Sequence, residues 1–255
     1  MPKISAVIIT MNEEQLIEQC LQSLDNVADE VIVVDSFSTD STEQICRKYN
    51  VKFVQREFTG FMDQKNYAVS LASHEYILSL DADEALSEEL QKSLLKVKNN
   101  IRFEGYRVNR LSNYCGKWMR HSAWYPDPQL RLFRADRGKW GLFNVHETFI
   151  MNHHSRISKL EGDLLHWPCT SERDLIEKIA KYSEIAAHEF YSANKKASFI
   201  TPYFHCFWRF FQTYFIRLGF LDGKNGFAVC RTGAYSSFLK YKKLWMLRKK
   251  KQKQS

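Results

Sequence analysis

Four short apolar runs, each closed by a polar residue and followed by a helical pattern, constrain this chain more than any other feature. Ile4-Ser5-Ala6-Val7-Ile8-Ile9-Thr10 is apolar and β-branched on both faces, as a strand covered on both sides must be. Residues 31–34 closing at Asp35, the shorter run 51–55, and residues 76–80 closing at Asp81 repeat the pattern. Leu16, Ile17, Cys20, Leu21 and Leu24 recur at helical spacing after the first run. Asp40-Ser41-Thr42-Glu43 reads as a helix start with Asp40 as its N-cap, and residues 63–72 suit another helix. Strand–helix alternation with short connections predicts an α/β fold, a Rossmann-like and mostly parallel sheet with helices on both faces.

Such sheets bind ligands beyond the carboxyl ends of their strands, where the strand order reverses. The polar residues at those ends are Thr10 and Asn12, then Asp35, then Asp81 and Asp83. A single Asp after a strand is ordinarily a turn residue or a helix cap. Acceptors at three strand ends out of four, all on one edge, point to a site. The strongest local motif there is Leu80-Asp81-Ala82-Asp83-Glu84. Two carboxylates one residue apart on a strand rim can face one cation, and hard oxygen ligands suit Mg²⁺ or Mn²⁺ shared with phosphate oxygens. A diphosphate leaving group needs that charge, since negative charge builds on the departing oxygens.

After residue 100 the pattern changes. Residues 105–110 and 129–134 alternate as half-exposed strands do, and the aromatic-rich stretch 118–128 between them suits a loop or short hairpin. A helix is expected over 172–192, capped by Ser171 or Thr170, and Thr201-Pro202 starts another. Residues 203–218 are too aromatic for a free surface helix. They are also too short for a membrane span and are interrupted by Arg209 and Arg217. Core packing and insertion into a bilayer interface both remain open for them. The expected organisation is an α/β domain over 1–168, in two halves, 1–100 and 101–168. A helical region over 169–239 and a basic tail over 240–255 follow.

The net charge of +8 resides in that tail: its eight basic residues and no acids leave 29 of each sign in the remainder. A terminal excess suits an anionic membrane surface or a solvated disordered end, whereas a nucleic-acid-binding protein spreads its basic residues over a face. The six cysteines include no C-x-x-C pair and are separated by at least 23 residues, which argues against a zinc ribbon or a disulfide framework and suits the cytosol. The first residues run straight into a strand without the apolar core of a signal peptide.

Val7-Ile8-Ile9-Thr10-Met11-Asn12-Glu13, Val33-Val34-Asp35-Ser36 with Ser38-Thr39-Asp40, Gln64-Lys65-Asn66 and Asp81-Ala82-Asp83-Glu84 resemble, in order, the nucleotide-sugar half of family-2 inverting glycosyltransferases. Val145-His146-Glu147 and Gly219-Phe220-Leu221-Asp222-Gly223 resemble the subgroup of bacterial lipopolysaccharide-core β-1,4-glucosyltransferases. The resemblance implies a GT-A fold with an α-helical C-terminal extension, a nucleotide-diphospho-sugar donor such as a UDP-hexose, a divalent cation and inversion at the anomeric carbon. It places Thr10, Asn12 and Glu13 along the nucleotide pocket, Asp35 on the base or ribose, and Lys65 near the diphosphate. Asp81 falls at the ribose or the metal, and Asp83 is the main metal ligand.

Direct displacement needs one general base to take the acceptor's proton. Glu147, Asp127, His146 and Asp163 qualify, and Glu147 is preferred because it lies in the subgroup motif. A salt bridge from Glu147 to Arg131 or Arg134 is the structural alternative. His166, closing the apolar run Leu164-Leu165, is either a further metal ligand or a buried structural histidine. The implied acceptor is a lipid-linked saccharide, met at the inner face of the cytoplasmic membrane. A nucleotidyltransferase would share the fold class, but it would usually carry a glycine-rich basic loop where this chain has Met11-Asn12-Glu13-Glu14. A degenerate homologue without activity would not need both aspartates.

Overall fold

The computed structural model describes residues 2–143, 146–169 and 171–254, with side chains 142, 143, 146 and 251–254 left aside. Two compact units emerge: Met1–Arg110 with Asp127–His166, and Leu111–Pro126 with Trp167–Ser255. The stretch 111–126, expected within the half 101–168, thus groups with the C-terminal helices.

The first unit opens with the alternation read from sequence. It runs β1 (Ile4–Thr10), α1 (Ile17–Ser23), β2 (Glu30–Asp35), α2 (Thr42–Cys46), β3 (Lys52–Gln55), α3 (Phe61–Ser70) and β4 (Tyr76–Asp81). β5 (Glu84–Leu86), α4 (Glu88–Lys98), β6 (Gly105–Tyr114), β7 (Lys117–Trp118), β8 (Pro128–Arg134), β9 (Gly138–Phe143), β10 (His146–Met151) and β11 (Ile157–His166) follow, β7 and the end of β6 lying in the second unit. The sheet order is β3-β2-β1-β4-β8-β6-β11-β5. β1 to β4 are parallel, β8 turns antiparallel against β4, and β9 and β10 form a separate hairpin.

The continuous apolar runs have a direct cause. Successive side chains of a strand point to opposite faces, and here both faces are covered. Ile4, Ala6 and Ile8 of β1 pack with Ile17, Cys20, Leu21, Leu90 and Leu94 on one side. Val7 joins Ile32, Val34, Ile77, Ala68 and Phe133 on the other, beneath Trp140 and Phe149 of the hairpin. α4 is capped by Ser87, whose hydroxyl accepts from the Leu90 N–H. α2 differs by one position: Ser41 occupies the cap, while the Asp40 carboxylate accepts from the N–H groups of Thr42 and Glu14. Asp40 ties two loops together and does not cap one helix.

The second unit is built on α5 (Glu172–Ser192), α6 (Thr201–Phe211) and α7 (Gly223–Gln254). α5 matches its expected span, with Ser171 as cap accepting from Asp174; Thr170 lies outside the described residues. A π-helical turn, Gln212–Ile216, and a 3-10 turn, Gly219–Asp222, link α6 to α7. The expected loop over 118–128 begins as a tight hairpin, β7 pairing with Asn113 and Tyr114. The disordered end considered for the lysine-rich terminus is corrected: α7 continues helical to Gln254. Leu244 is fully buried there, and Arg248 donates to the Tyr191 carbonyl at the end of α5. The basic segment is therefore part of the packed unit.

Candidate active site

The strand order fixes where the chain can build a site. β2 and β3 lie on one side of β1 and β4 on the other, so the order reverses at β1, the position at which open α/β sheets bind ligands. Register brings the polar ends together: Thr10 pairs with Asp35, and Ile9 pairs with Asp81. A groove lined by Leu24, Asp29, Glu30 and Tyr49 sits at the start of β2, at the opposite edge from these aspartates.

Asp35 is fully buried and accepts from the N–H and hydroxyl of Ser38, with Gln55 Nε2 3.4 Å from its Oδ2. The hydroxyl of neighbouring Thr10 is buried with no hydrogen-bond partner among the described residues. An orphaned buried donor costs about 1–3 kcal/mol, so an unmet group at this edge fits a ligand that supplies its partner. Asn12, at φ 56°, is tied to the next loop: its N–H donates to Ser38 Oγ at 2.8 Å and its Oδ1 accepts from the Thr39 N–H at 2.8 Å. The Glu13 N–H donates to Thr42 Oγ1 at 2.9 Å. Asn12 and Glu13 therefore bolt the loop after β1 to the loop after β2. Met11 and Phe37, both exposed, flank this junction.

Asp81 lies between two cations, Lys65 Nζ at 2.7 Å from Oδ1 and Arg131 at 3.0 Å from Oδ2. Burial would raise its carboxyl, but the Lys65 ammonium and the Arg131 guanidinium hold it well below the usual carboxylate range. Arg131 also meets Glu84 at 2.5 Å, and Arg110 lies 3.5 Å from Glu84 and 2.9 Å from Asp127. Burial opposes the charge on Arg131, yet Glu84 and Asp81 push its affinity for the proton above the ordinary value. This chain of alternating charges, buried at Arg131 and Glu84, escaped the sequence reading. Its signals were the acid directly after the D-x-D pair and an arginine flanked by Leu130 and Leu132 in β8.

Lys65 has a second partner, Glu147 Oε1 at 3.2 Å. It is buried, and its ammonium lies 4.6 Å from the centre of the Trp140 ring. The next residue, Asn66, exchanges two 3.0 Å hydrogen bonds with the main chain of Trp140. α3 thus docks the β9–β10 hairpin and pairs Lys65 with both Asp81 and Glu147. The salt bridge weighed for Glu147 goes to Lys65; Arg131 is engaged by the acids above, and Arg134 pairs with Glu75 and Asp136. Of the other base candidates, Asp127 is held by Arg110 and Gln129. Asp163 is on β11, where its main chain pairs with Ser87. Val145 and the His146 side chain lie outside the described residues.

Asp83 and His166 come together at the far side, with Nε2 at 3.5 Å from Oδ2 and both side chains partly open to solvent. Among the described residues no three His, Cys, Asp or Glu side chains gather as a metal cage. A carboxylate and an imidazole side by side fit a divalent ion that takes its remaining ligands from phosphate and water. Asp81 is engaged at both oxygens by Lys65 and Arg131.

Residues 5–160 match the model for glycosyl transferase family 2. A Rickettsia typhi protein called an uncharacterized glycosyltransferase is 32% identical over 257 residues, covering 96% of this chain and 87% of its own. The lipopolysaccharide core biosynthesis glycosyltransferase LpsC of Rhizobium meliloti is 30% identical over 95% of this chain and 92% of its own. Among solved structures, S. aureus TarS 1-349 aligns over 93% of this chain and 90% of that chain, at 18% identity and a TM-score of 0.48.

Proposed function

Because this chain belongs to glycosyl transferase family 2, has the GT-A fold and is a glycosyltransferase, we propose that it moves a hexose from a UDP-sugar to a lipid-linked saccharide of the lipopolysaccharide-core type, with inversion. The observation that carries this reading is the Glu147–Lys65–Asp81 bridge at the sheet's switch point, two positions from the Asp83 of the Asp83–His166 pair.

In this reading Asp35 and the unmet Thr10 hydroxyl bind the nucleoside end of the donor. Asp83 and His166 would hold a Mg²⁺ or Mn²⁺ ion, which would supply positive charge to the diphosphate leaving group. Asp81 keeps Lys65 in place, and Lys65 orients the Glu147 carboxylate. Glu147 takes the proton of the acceptor hydroxyl as that oxygen bonds to the anomeric carbon. The bond from that carbon to the phosphate oxygen breaks on the opposite face, and the nucleoside diphosphate departs with the electron pair. No covalent enzyme intermediate forms.

The name of LpsC supports a core-saccharide acceptor, and such an acceptor brings the enzyme to the inner face of the cytoplasmic membrane. No helix among the described residues is long and apolar enough to cross a bilayer. The test is transfer and donor hydrolysis over a panel of UDP- and GDP-sugars, with Mn²⁺, Mg²⁺ or EDTA. Turnover confined to UDP-hexoses and lost in EDTA is expected; turnover indifferent to EDTA removes the cation, and near-normal turnover in Glu147→Gln removes the base.

A further inference from the structure

α6 carries two aromatic faces, and the fold uses only one. Its packed face lies along α7: Tyr203 meets Phe238 at 5.3 Å, His205 stacks on Tyr241 at 3.8 Å, and Phe210 meets Phe227 at 5.8 Å. The other face holds Phe204, Phe207, Trp208 and Phe211, spaced i, i+3, i+4 and i+7, and Phe215 follows in the π-helical turn. That spacing makes a single stripe along a helix. Phe207 is 69% exposed and Phe204 62%. The bare rings touch one another, Phe207–Phe211 at 6.3 Å, Trp208–Phe211 at 6.1 Å and Phe211–Phe215 at 5.3 Å. Five half-exposed aromatic side chains present on the order of 500 Å² of apolar surface, a patch size that marks an interaction surface.

The charge beside the stripe selects its occupant. The contacts of Tyr203 with Phe238 and of Phe199 with Trp245 show that α6 and α7 run antiparallel, so the basic end of α7 lies beside the start of α6. Lys242, Lys249 and Lys250 are exposed there. From residue 193 to the end of the chain the only acid is Asp222, and it is buried. A second copy of this surface would bring the same cations against these. An anionic lipid surface neutralises them while its acyl boundary takes up the rings.

We propose that the bare aromatic stripe of α6, flanked by the exposed lysines of α7, inserts into the interfacial layer of an anionic phospholipid bilayer. The proposal rests on the lipid-linked acceptor read above and assigns the surface that would bring the enzyme to it. The test is co-sedimentation of the full chain with vesicles of phosphatidylcholine, with and without phosphatidylglycerol. Binding is expected to be about tenfold stronger to the anionic vesicles. Phe207→Ser with Phe211→Ser should weaken binding to both by about tenfold, and Lys242→Gln with Lys249→Gln should remove only the anionic preference. Donor hydrolysis without lipid should be unchanged in both variants, so loss of lipid binding leaves the transferase reading standing. Equal sedimentation with and without vesicles overturns the proposal. So does a wild-type dimer, indifferent to lipid, that the double serine variant makes monomeric.

Discussion

Lys65 shows how much one buried cation can organise. The resemblance places it at the diphosphate, whereas in the structure its ammonium is held between Asp81 and Glu147, over the Trp140 ring. Replacing it with Met leaves two carboxylates facing each other with the cation between them removed, and removing one partner of a buried pair is costly. Lys65→Met should lower kcat by about a hundredfold or more with a smaller change in the donor KM, and Lys65→Arg should restore part of kcat. An equal loss in KM and none in kcat would instead return Lys65 to donor binding. The cysteines give a second residue-level expectation. Burial pushes the thiols of Cys46 and Cys169 up to about 11, so at pH 8 they remain protonated and unreactive. A thiol-specific chromogenic reagent at pH 8 should modify exposed Cys115 in the native protein and reach Cys46 and Cys169 only after denaturation.

At the scale of elements, the site depends on how neighbouring pieces are pinned. The β9–β10 hairpin owes its position to the two hydrogen bonds between Asn66 and Trp140. Asn66→Ala strips both and leaves a main-chain pair to be resatisfied, at about 1–3 kcal/mol. Turnover should fall while nucleotide binding by calorimetry stays near normal, because the loops after β1 and β2 keep their own ties. In the second unit, the turn between α6 and α7 depends on close approach. A Cβ on Gly226 would lie 1.9 Å from the Gly219 carbonyl oxygen, a backbone atom that cannot step aside. Gly226→Ala should destabilise the protein by about 1–3 kcal/mol, read as a lower melting temperature.

For the whole molecule, charge and packing cannot be separated at the C-terminus. The basic segment contains Leu244, fully buried, Trp245, which meets Phe199, and Lys243, which pairs with Glu184 at 2.7 Å. Deleting residues 240–255 should therefore lower thermal stability, with a loss of about 1.5–3 kcal/mol for Leu244 alone. A deletion that leaves the melting temperature unchanged would show the segment to be an appendage. Point substitution of exposed lysines is the cleaner way to change the charge.

The parallel half of the sheet was legible from sequence because strands covered on both faces must be continuously apolar, and the polar residue that ends each run marks the edge where ligands bind. The aspartates at that edge were equally plain, and α5 was readable to its cap. Tertiary structure alone decided which charges meet. Lys65, Asp81, Glu147 and Arg131 come from four separate segments, and no local period encodes an ion pair between residues 50 or 82 positions apart. It also decided that one face of α6 is packed and the other bare, since a sequence aromatic all round the helix does not say which side finds a partner.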